Sequence, residues 1–183
     1  PPTVPASAPA DGVPVGEKGL VSAADPRAAE AGVDMLRLGG TAADAAIATM
    51  LALTVVEPQS SGIGGGGFLV MGDAAGKVET VDGRETAPKA AGPQWFYVNG
   101  QPLPIIEAIP GGRSVGVPGN LRLAALAHAR HGKLAWRALF QPAIRLARDG
   151  FVMTPRLYAM LSRFARTGAL DPQARAIYYG ADG

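Results

Sequence analysis

Apolar positions recur along the chain at helical spacing in some segments and alternate with polar positions in others. The pattern over residues 28–38 predicts a helix, because Asp25 and Pro26 before it favour a helix start and two glycines after it favour a stop. The short apolar run Leu20 to Ala23 predicts a strand ahead of that helix.

A second helix is predicted over residues 42–56. It opens with the Thr-x-x-acid capping pattern of Thr41 and Asp44, and it is apolar on nearly every side. Such a helix belongs inside a protein core. Polar residues interrupt its apolar run, and the run ends at Glu57-Pro58, so the segment is too short and too polar for a membrane span.

The rest of the chain mixes strands and helices. A hairpin is predicted with strands at 68–71 and 77–82, and short strands at 95–98 and 114–117. Helices are predicted over 121–131 and over 134–148, the second with a break near Pro142. A third helix is predicted to begin after Thr154. The lack of regular βαβ alternation favours an α+β fold over a doubly wound sheet.

The two ends of the chain differ in composition from its middle. Residues 1–18 are rich in Pro and Ala, which predicts an extended linker or a processed N-terminus and suits an exported protein. Residues 19–183 form the second predicted region. The triplet Ile177 to Tyr179 reads as a strand without a partner, so we expect the polypeptide to continue beyond Gly183.

Composition narrows the classes of function. The chain is 48% hydrophobic and 17% charged, which predicts one packed core. Its net charge is only +2, and the sequence contains no block of basic residues of the kind that binds nucleic acid. The absence of cysteine excludes disulfides, thiolate nucleophiles and cysteine-bound metals. His128 and His131 lie three apart near a helix end, where capping or solvent exposure is more common than metal binding.

The stretch "SSGIGGGG" from Ser60 to Gly67 is the most unusual in the sequence. Gly62, Gly64 and Gly67 satisfy the dinucleotide pattern G-x-G-x-x-G, but a helix precedes them and a strand follows, the reverse of that motif's context. No Lys-Ser or Lys-Thr follows, which also excludes a phosphate loop. The glycines therefore indicate a close backbone crossing or the floor of an active site.

Arg84, in "DGRETAP", lies where the second hairpin strand ends. An arginine at a strand end can bind a carboxylate through two parallel hydrogen bonds, or it can pair with Asp82 or Glu85 on the surface. Ser60, Ser61 and Ser114 are candidate nucleophiles by residue type, but no G-x-S-x-G elbow is present and neither histidine has an acidic partner at a suggestive spacing.

Four blocks, "GLVSAADPRAAEAGVDMLRLGGTAADAAIATMLALTVVEPQSSGIGGGGFLVM", "DGRETAP", "GGRSVGVPG" and "QPAIRLARDGF", resemble in order and spacing the N-terminal part of γ-glutamyltranspeptidases. The resemblance implies a four-layer αββα N-terminal nucleophile hydrolase fold, of which this chain supplies part of the large subunit. It also implies that Arg84 binds the α-carboxylate of a γ-glutamyl group and that the glycine stretch is a turn in the core.

In that family the nucleophile is the N-terminal threonine of a small subunit cut from the same precursor. The resemblance therefore implies no catalytic residue in this chain, which should be inactive alone, and a small subunit as partner. It implies γ-glutamyl transfer and hydrolysis on glutathione and related amides, in the periplasm or outside the cell, without a metal or an organic cofactor.

Two alternatives stay open from the sequence. Relatives in the same family act on glutaryl-cephalosporins or poly-γ-glutamate, and Arg84 suits their carboxylates equally. The lack of a nucleophile also permits a non-catalytic binding or assembly module.

Overall fold

The computed structural model describes residues 19–179. The predicted linker at 1–18 and the last four residues lie outside the described part of the chain. Within it, helices α1 (Pro26–Arg37) and α2 (Ala42–Val56) come first. They pack against each other along their length.

Local capping fixes where both helices begin. The Asp25 side chain accepts a hydrogen bond from the Arg27 backbone N–H at 2.9 Å, with Pro26 in the first turn of α1. Thr41 and Asp44 form the predicted capping box of α2, each side chain accepting the other's backbone N–H. These bonds satisfy N–H groups that have no partner inside the helix.

Helix α2 is the centre of the core, as its apolar composition predicts. Ala48, Leu51, Ala52 and Val56 are fully or almost fully buried. They pack against α1 on one side and against helices α4 (Asn120–His131), α5 (Trp136–Leu139) and α6 (Gln141–Asp149) on others. The predicted break near Pro142 is confirmed, because α5 ends at Leu139 and α6 restarts with that proline in its first turn.

The predicted hairpin is confirmed as antiparallel strands β1 (Gly67–Gly72) and β2 (Val78–Gly83), with Leu69 opposite Val81. One face of the hairpin lies over α4, and Leu69 packs against the core. On the other face Phe68, Val70 and Val78 are exposed.

The remaining elements are short. Strands β3 (Tyr97–Val98) and β4 (Gln101–Pro102) form a small second hairpin, followed by α3 (Ile105–Ala108) and a 3₁₀ turn at Gly112–Ser114. Helices α7 (Pro155–Arg163), α8 (Ala165–Gly168) and α9 (Pro172–Tyr178) close the described chain. Thr154 caps α7 as predicted. No helix within residues 19–179 is long and apolar enough to cross a membrane.

Three strand predictions are wrong. Residues 20–23 form no strand, and the segment from Ser114 to Val117 makes a single bridge from Val117 to Thr86. Ile177 and Tyr178 lie in α9, because Asp171 caps that helix by accepting two backbone N–H groups and Pro172 starts it. The strand predicted at 95–98 is shorter than expected and covers Tyr97–Val98.

Candidate functional site

The glycine stretch forms the turn that joins α2 to β1, and its backbone is fastened to the start of α4. The Gly65 carbonyl oxygen accepts hydrogen bonds from the backbone N–H groups of Gly119 and Asn120, both at 3.0 Å. The Asn120 side chain, which is buried, donates from Nδ2 to the Gly62 carbonyl at 2.7 Å. The start of α4 thereby holds the turn at two positions, Gly62 and Gly65.

Gly66 explains why this turn needs bare backbone. A Cβ atom there would lie 2.6 Å from the Gly83 carbonyl oxygen and 2.7 Å from both the Arg84 Cα and the Glu85 N. All three are backbone atoms that cannot rotate away. Gly66 has no left-handed φ, so it is needed for the close approach of two chain segments, not for an unusual dihedral angle.

Arg84 directly follows the last residue of β2 and lies at this backbone crossing. Its backbone N–H donates to Asp82 Oδ1 at 2.9 Å, and its Nη1 donates to the Gly66 carbonyl at 3.5 Å. Its Nη2 lies 3.2 Å from Glu85 Oε2, so the surface pairing considered in the sequence is present. The side chain remains 54% exposed, with room for a further acceptor.

Two open clefts share Arg84. The first has a volume of about 500 Å³ and includes Ser60, Ser61, Gly66 and Asn120 in its wall. The second has a volume of about 690 Å³ and lies between the segment after β2 and the 3₁₀ turn, with Ser114 in its wall. The bridge between Thr86 and Val117 connects the two segments that frame the second cleft.

Neither histidine lines the two clefts that contain the candidate serines. Ser60 and Ser61 share a cleft with Arg84, but His131 lies at the opposite end of α4 from Asn120, about 16 Å along the helix axis. His131 Nε2 lies 2.9 Å from Glu79 Oε2, and His128 Nε2 lies 2.7 Å from the Leu134 carbonyl oxygen. Both histidines thus make structural contacts away from Arg84.

Asn120 is the site residue that sequence reasoning missed. The sequence offers one sign of its role: it is a polar residue that directly follows "VPG" and begins a helix. Its buried amide joins the glycine turn to α4, so it positions the cleft floor.

The buried carboxylates of Asp25 and Asp44 line neither cleft and have structural partners. Hydrogen bonds from the Arg27 side chain have the largest effect on the pKa of the Asp25 carboxyl, and they hold that pKa below the ordinary value. Burial would raise the pKa of Asp44, but backbone N–H groups of Thr41, Lys133 and Leu134 outweigh it and lower that pKa. No group of three or more potential metal-ligating residues occurs within residues 19–179.

Comparison with solved structures identifies the fold class. The chain superimposes on γ-glutamyltranspeptidase from Helicobacter pylori with a TM-score of 0.86 and 30% sequence identity, over 92% of this chain and 48% of that one. It also matches a cephalosporin acylase from Bacillus halodurans, with a TM-score of 0.65 and 34% identity over 76% of this chain and 26% of that one. The expected α+β, N-terminal nucleophile hydrolase fold class is confirmed.

Sequence comparison then gives the family. The family model for gamma-glutamyltranspeptidase matches residues 28–183. The chain is 49% identical over 152 residues to Scoloptoxin SSD14 of Scolopendra dehaani, covering 82% of this chain and 25% of that protein. It is 44% identical over 163 residues to Glutathione hydrolase 3 of Arabidopsis thaliana, covering 88% of this chain and 25% of that protein. The chain belongs to the γ-glutamyltranspeptidase family, and it spans about a quarter of the length of these curated relatives.

Proposed function

We propose that this chain supplies the carboxylate-binding side of a γ-glutamyl site, in an enzyme that hydrolyses and transfers γ-glutamyl groups from glutathione and related amides. The observation that carries the proposal is the position of Arg84. Its side chain is half-exposed and lines two clefts. Its backbone directly follows β2, at the point where Gly66 passes close to it. Relatives with glutathione hydrolase names support the reaction class.

Arg84 has the chemistry for this role. A guanidinium presents N–H groups in a planar fork that matches both oxygens of a carboxylate. The Glu85 carboxylate lies 3.2 Å from Nη2, and the Gly66 carbonyl accepts a hydrogen bond from Nη1 at 3.5 Å. A charge-assisted contact of this kind contributes about 1.5–3 kcal/mol, roughly ten- to hundredfold in affinity.

The proposed nucleophile is the N-terminal threonine of a small subunit cut from the same precursor. Its hydroxyl attacks the γ-carbonyl carbon while its own α-amine takes the hydroxyl proton. That proton passes to the leaving amine as the amide bond breaks, which leaves the γ-glutamyl group as an ester on threonine. Water or an acceptor amine then releases the group. In this mechanism the chain binds and orients the substrate and is inactive alone.

The test is to replace Arg84 by Lys and by Gln in the full-length gene product. Lysine keeps the charge but loses the fork, so we expect kcat/KM for γ-glutamyl-p-nitroanilide to fall roughly ten- to hundredfold, and at least as far with Gln. Precursor cleavage, followed by denaturing mass spectrometry, should stay intact. Arg137→Lys, at an exposed position of α5 outside both clefts, is the matched control.

An Arg84→Lys enzyme with unchanged KM and kcat/KM would contradict the carboxylate-binding role. Failure to find a threonine-initiated second chain in the mature protein would contradict self-processing. It would favour the non-catalytic binding or assembly module instead.

A second candidate is an acylase for glutaryl amides, which the likeness to the Bacillus halodurans cephalosporin acylase favours. A glutaryl group keeps the carboxylate that Arg84 would bind and lacks the α-amino group of glutamate. Comparing kcat/KM for γ-glutamyl- and glutaryl-p-nitroanilide separates the two activities. Higher activity on the glutaryl compound would replace the first proposal, and poly-γ-glutamate is a third substrate for the same comparison.

The proposed compartment is the periplasm or the cell exterior. Fractionation of the source cells tests it, since activity confined to the cytoplasmic fraction would contradict export.

A further inference from the structure

The larger cleft contains a second guanidinium that the proposed γ-glutamyl site does not use. Arg113 lines the cleft of about 690 Å³ that also includes Arg84. Trp95, Phe96 and Tyr97 contribute aromatic side chains to the same wall. Glu85 is the one acidic residue among the lining residues, and it lies against Arg84.

Arg113 is held in place by its backbone more than by its side chain. The Trp95 indole Nε1–H donates to the Arg113 carbonyl oxygen at 2.8 Å, and the Ser114 hydroxyl donates to the Ile109 carbonyl at 2.5 Å. The first bond fastens the 3₁₀ turn to the aromatic segment, and the second fastens it to the end of α3. The Arg113 guanidinium itself makes one long hydrogen bond, from Nη1 to the Tyr97 carbonyl at 3.4 Å.

The charge of Arg113 has no carboxylate partner among the described residues. The ion pairs found within residues 19–179 involve other arginines and histidines. A guanidinium has five N–H donors, so most of those on Arg113 can bind another acceptor. The cleft therefore contains aromatic surface and two cationic groups, Arg84 and Arg113, of which Arg84 is already paired with Glu85.

This combination fits a ligand with two anionic groups and a less polar part. A small-molecule site consists mostly of apolar surface with a few placed polar groups that set specificity. In the proposed site Arg84 binds the α-carboxylate of the γ-glutamyl group. Arg113 is then the other cationic side chain in the cleft wall, and it can bind an anionic group on the leaving-group side of the γ-amide.

We propose that Arg113 is a specificity-determining residue that binds a second carboxylate, on the leaving-group side of the substrate. It selects γ-glutamyl peptides with a free C-terminal carboxylate over γ-glutamyl amides whose leaving group is neutral. The inference rests on the proposed γ-glutamyl activity and names the substrate class of the same site.

The test uses two donors that differ at one group, glutathione and its C-terminal amide, with the full-length gene product. We expect the parent enzyme to prefer the free carboxylate by about tenfold in kcat/KM, the size of one charge-assisted contact. Arg113→Gln should reduce that ratio to about one, and Arg113→Lys should retain part of it because the charge remains. Thermal unfolding checks that both variants fold.

Arg137→Gln is the matched control, because it removes one positive charge from an exposed position of α5 that does not line the cleft. It should leave the ratio unchanged. A parent enzyme with equal kcat/KM for the two donors overturns the inference, as does an Arg113→Gln enzyme that loses activity on both in equal proportion. Those outcomes leave the γ-glutamyl activity standing, whereas a protein inactive on every γ-glutamyl donor overturns the proposed function as well.

Discussion

Gly66 shows how a single missing side chain positions the candidate site. The backbone at Gly66, just before β1, passes so close to residues 83–85 that a Cβ on Gly66 would overlap three backbone atoms. Gly64, two residues earlier in the same turn, has open space where its Cβ would be. Neighbouring glycines in one motif therefore have different structural importance.

We predict that Gly66→Ala destabilises the protein by about 1–3 kcal/mol, the usual cost of forcing an extra carbon into packed surroundings. The strain falls on the segment that carries Arg84, so kcat/KM for γ-glutamyl-p-nitroanilide should fall too. Denaturant unfolding of the full-length protein measures the first effect.

Gly64→Ala is the matched control, and it should change the unfolding free energy by less than about 1 kcal/mol. Equal stability of the two variants would show that the backbone crossing tolerates a side chain and would remove the explanation for the glycine stretch.

The residues that the sequence identified are those whose chemistry is unusual by itself. The glycine turn and Arg84 stand out because of composition and position at a strand end. Asn120 does not, because its importance comes from Gly62, which is 58 positions away in sequence. A single buried amide between distant segments leaves no periodic pattern to recognise.

At the scale of elements, helices were predicted better than strands for a physical reason. A helix start depends on residues within one turn, so Asp25, Thr41 and Thr154 could be assigned as caps from their neighbours. A strand depends on a partner elsewhere in the chain, and residues 20–23 lack one among the described residues. The β1–β2 hairpin was the exception because its partner follows after a short turn.

The buried carboxylate of Asp44 joins two distant parts of the chain. Its Oδ2 accepts from the Thr41 N–H at 2.9 Å, from the Lys133 N–H at 3.0 Å and from the Leu134 N–H at 3.3 Å. The start of α2 is therefore tied to the turn between α4 and α5.

We predict that Asp44→Asn lowers the free energy of unfolding by about 1.5–3 kcal/mol at pH 7, the range for hydrogen bonds to a charged group. The pKa of Asp44 is lowered in the folded state, so its stabilisation is present above the unfolded value near 3.8 and is lost as the pH falls through the folded value. The difference between the parent and Asp44→Asn should therefore stay constant at pH values well above 3.8 and shrink as the pH falls below 3.8.

Asp73→Asn provides the control for that experiment. Asp73 accepts from the N–H groups of Ala75 and Lys77 in an exposed turn, and asparagine supports the same turn. A pH-independent difference between Asp44→Asn and the parent would contradict the charge-based explanation.

At the scale of the whole molecule, the helices cover one face of the β1–β2 sheet and leave the other open. Phe68, Val70 and Val78 are 70%, 69% and 62% exposed on that open face. Val70 and Val78 are diagonal neighbours across the two strands, so the three side chains form one apolar patch. An exposed patch of this kind favours association or binding of apolar molecules.

We predict that the isolated 183-residue chain binds the apolar dye ANS and self-associates through this face. The double variant Val70→Thr/Val78→Thr should lower dye fluorescence and shift sedimentation towards the monomer, because threonine keeps the shape and β-propensity of valine while adding a hydroxyl. Val152→Thr is the matched control, since Val152 is exposed outside the hairpin. A monomeric chain that unfolds cooperatively and binds no dye would contradict the prediction and favour an independently stable module.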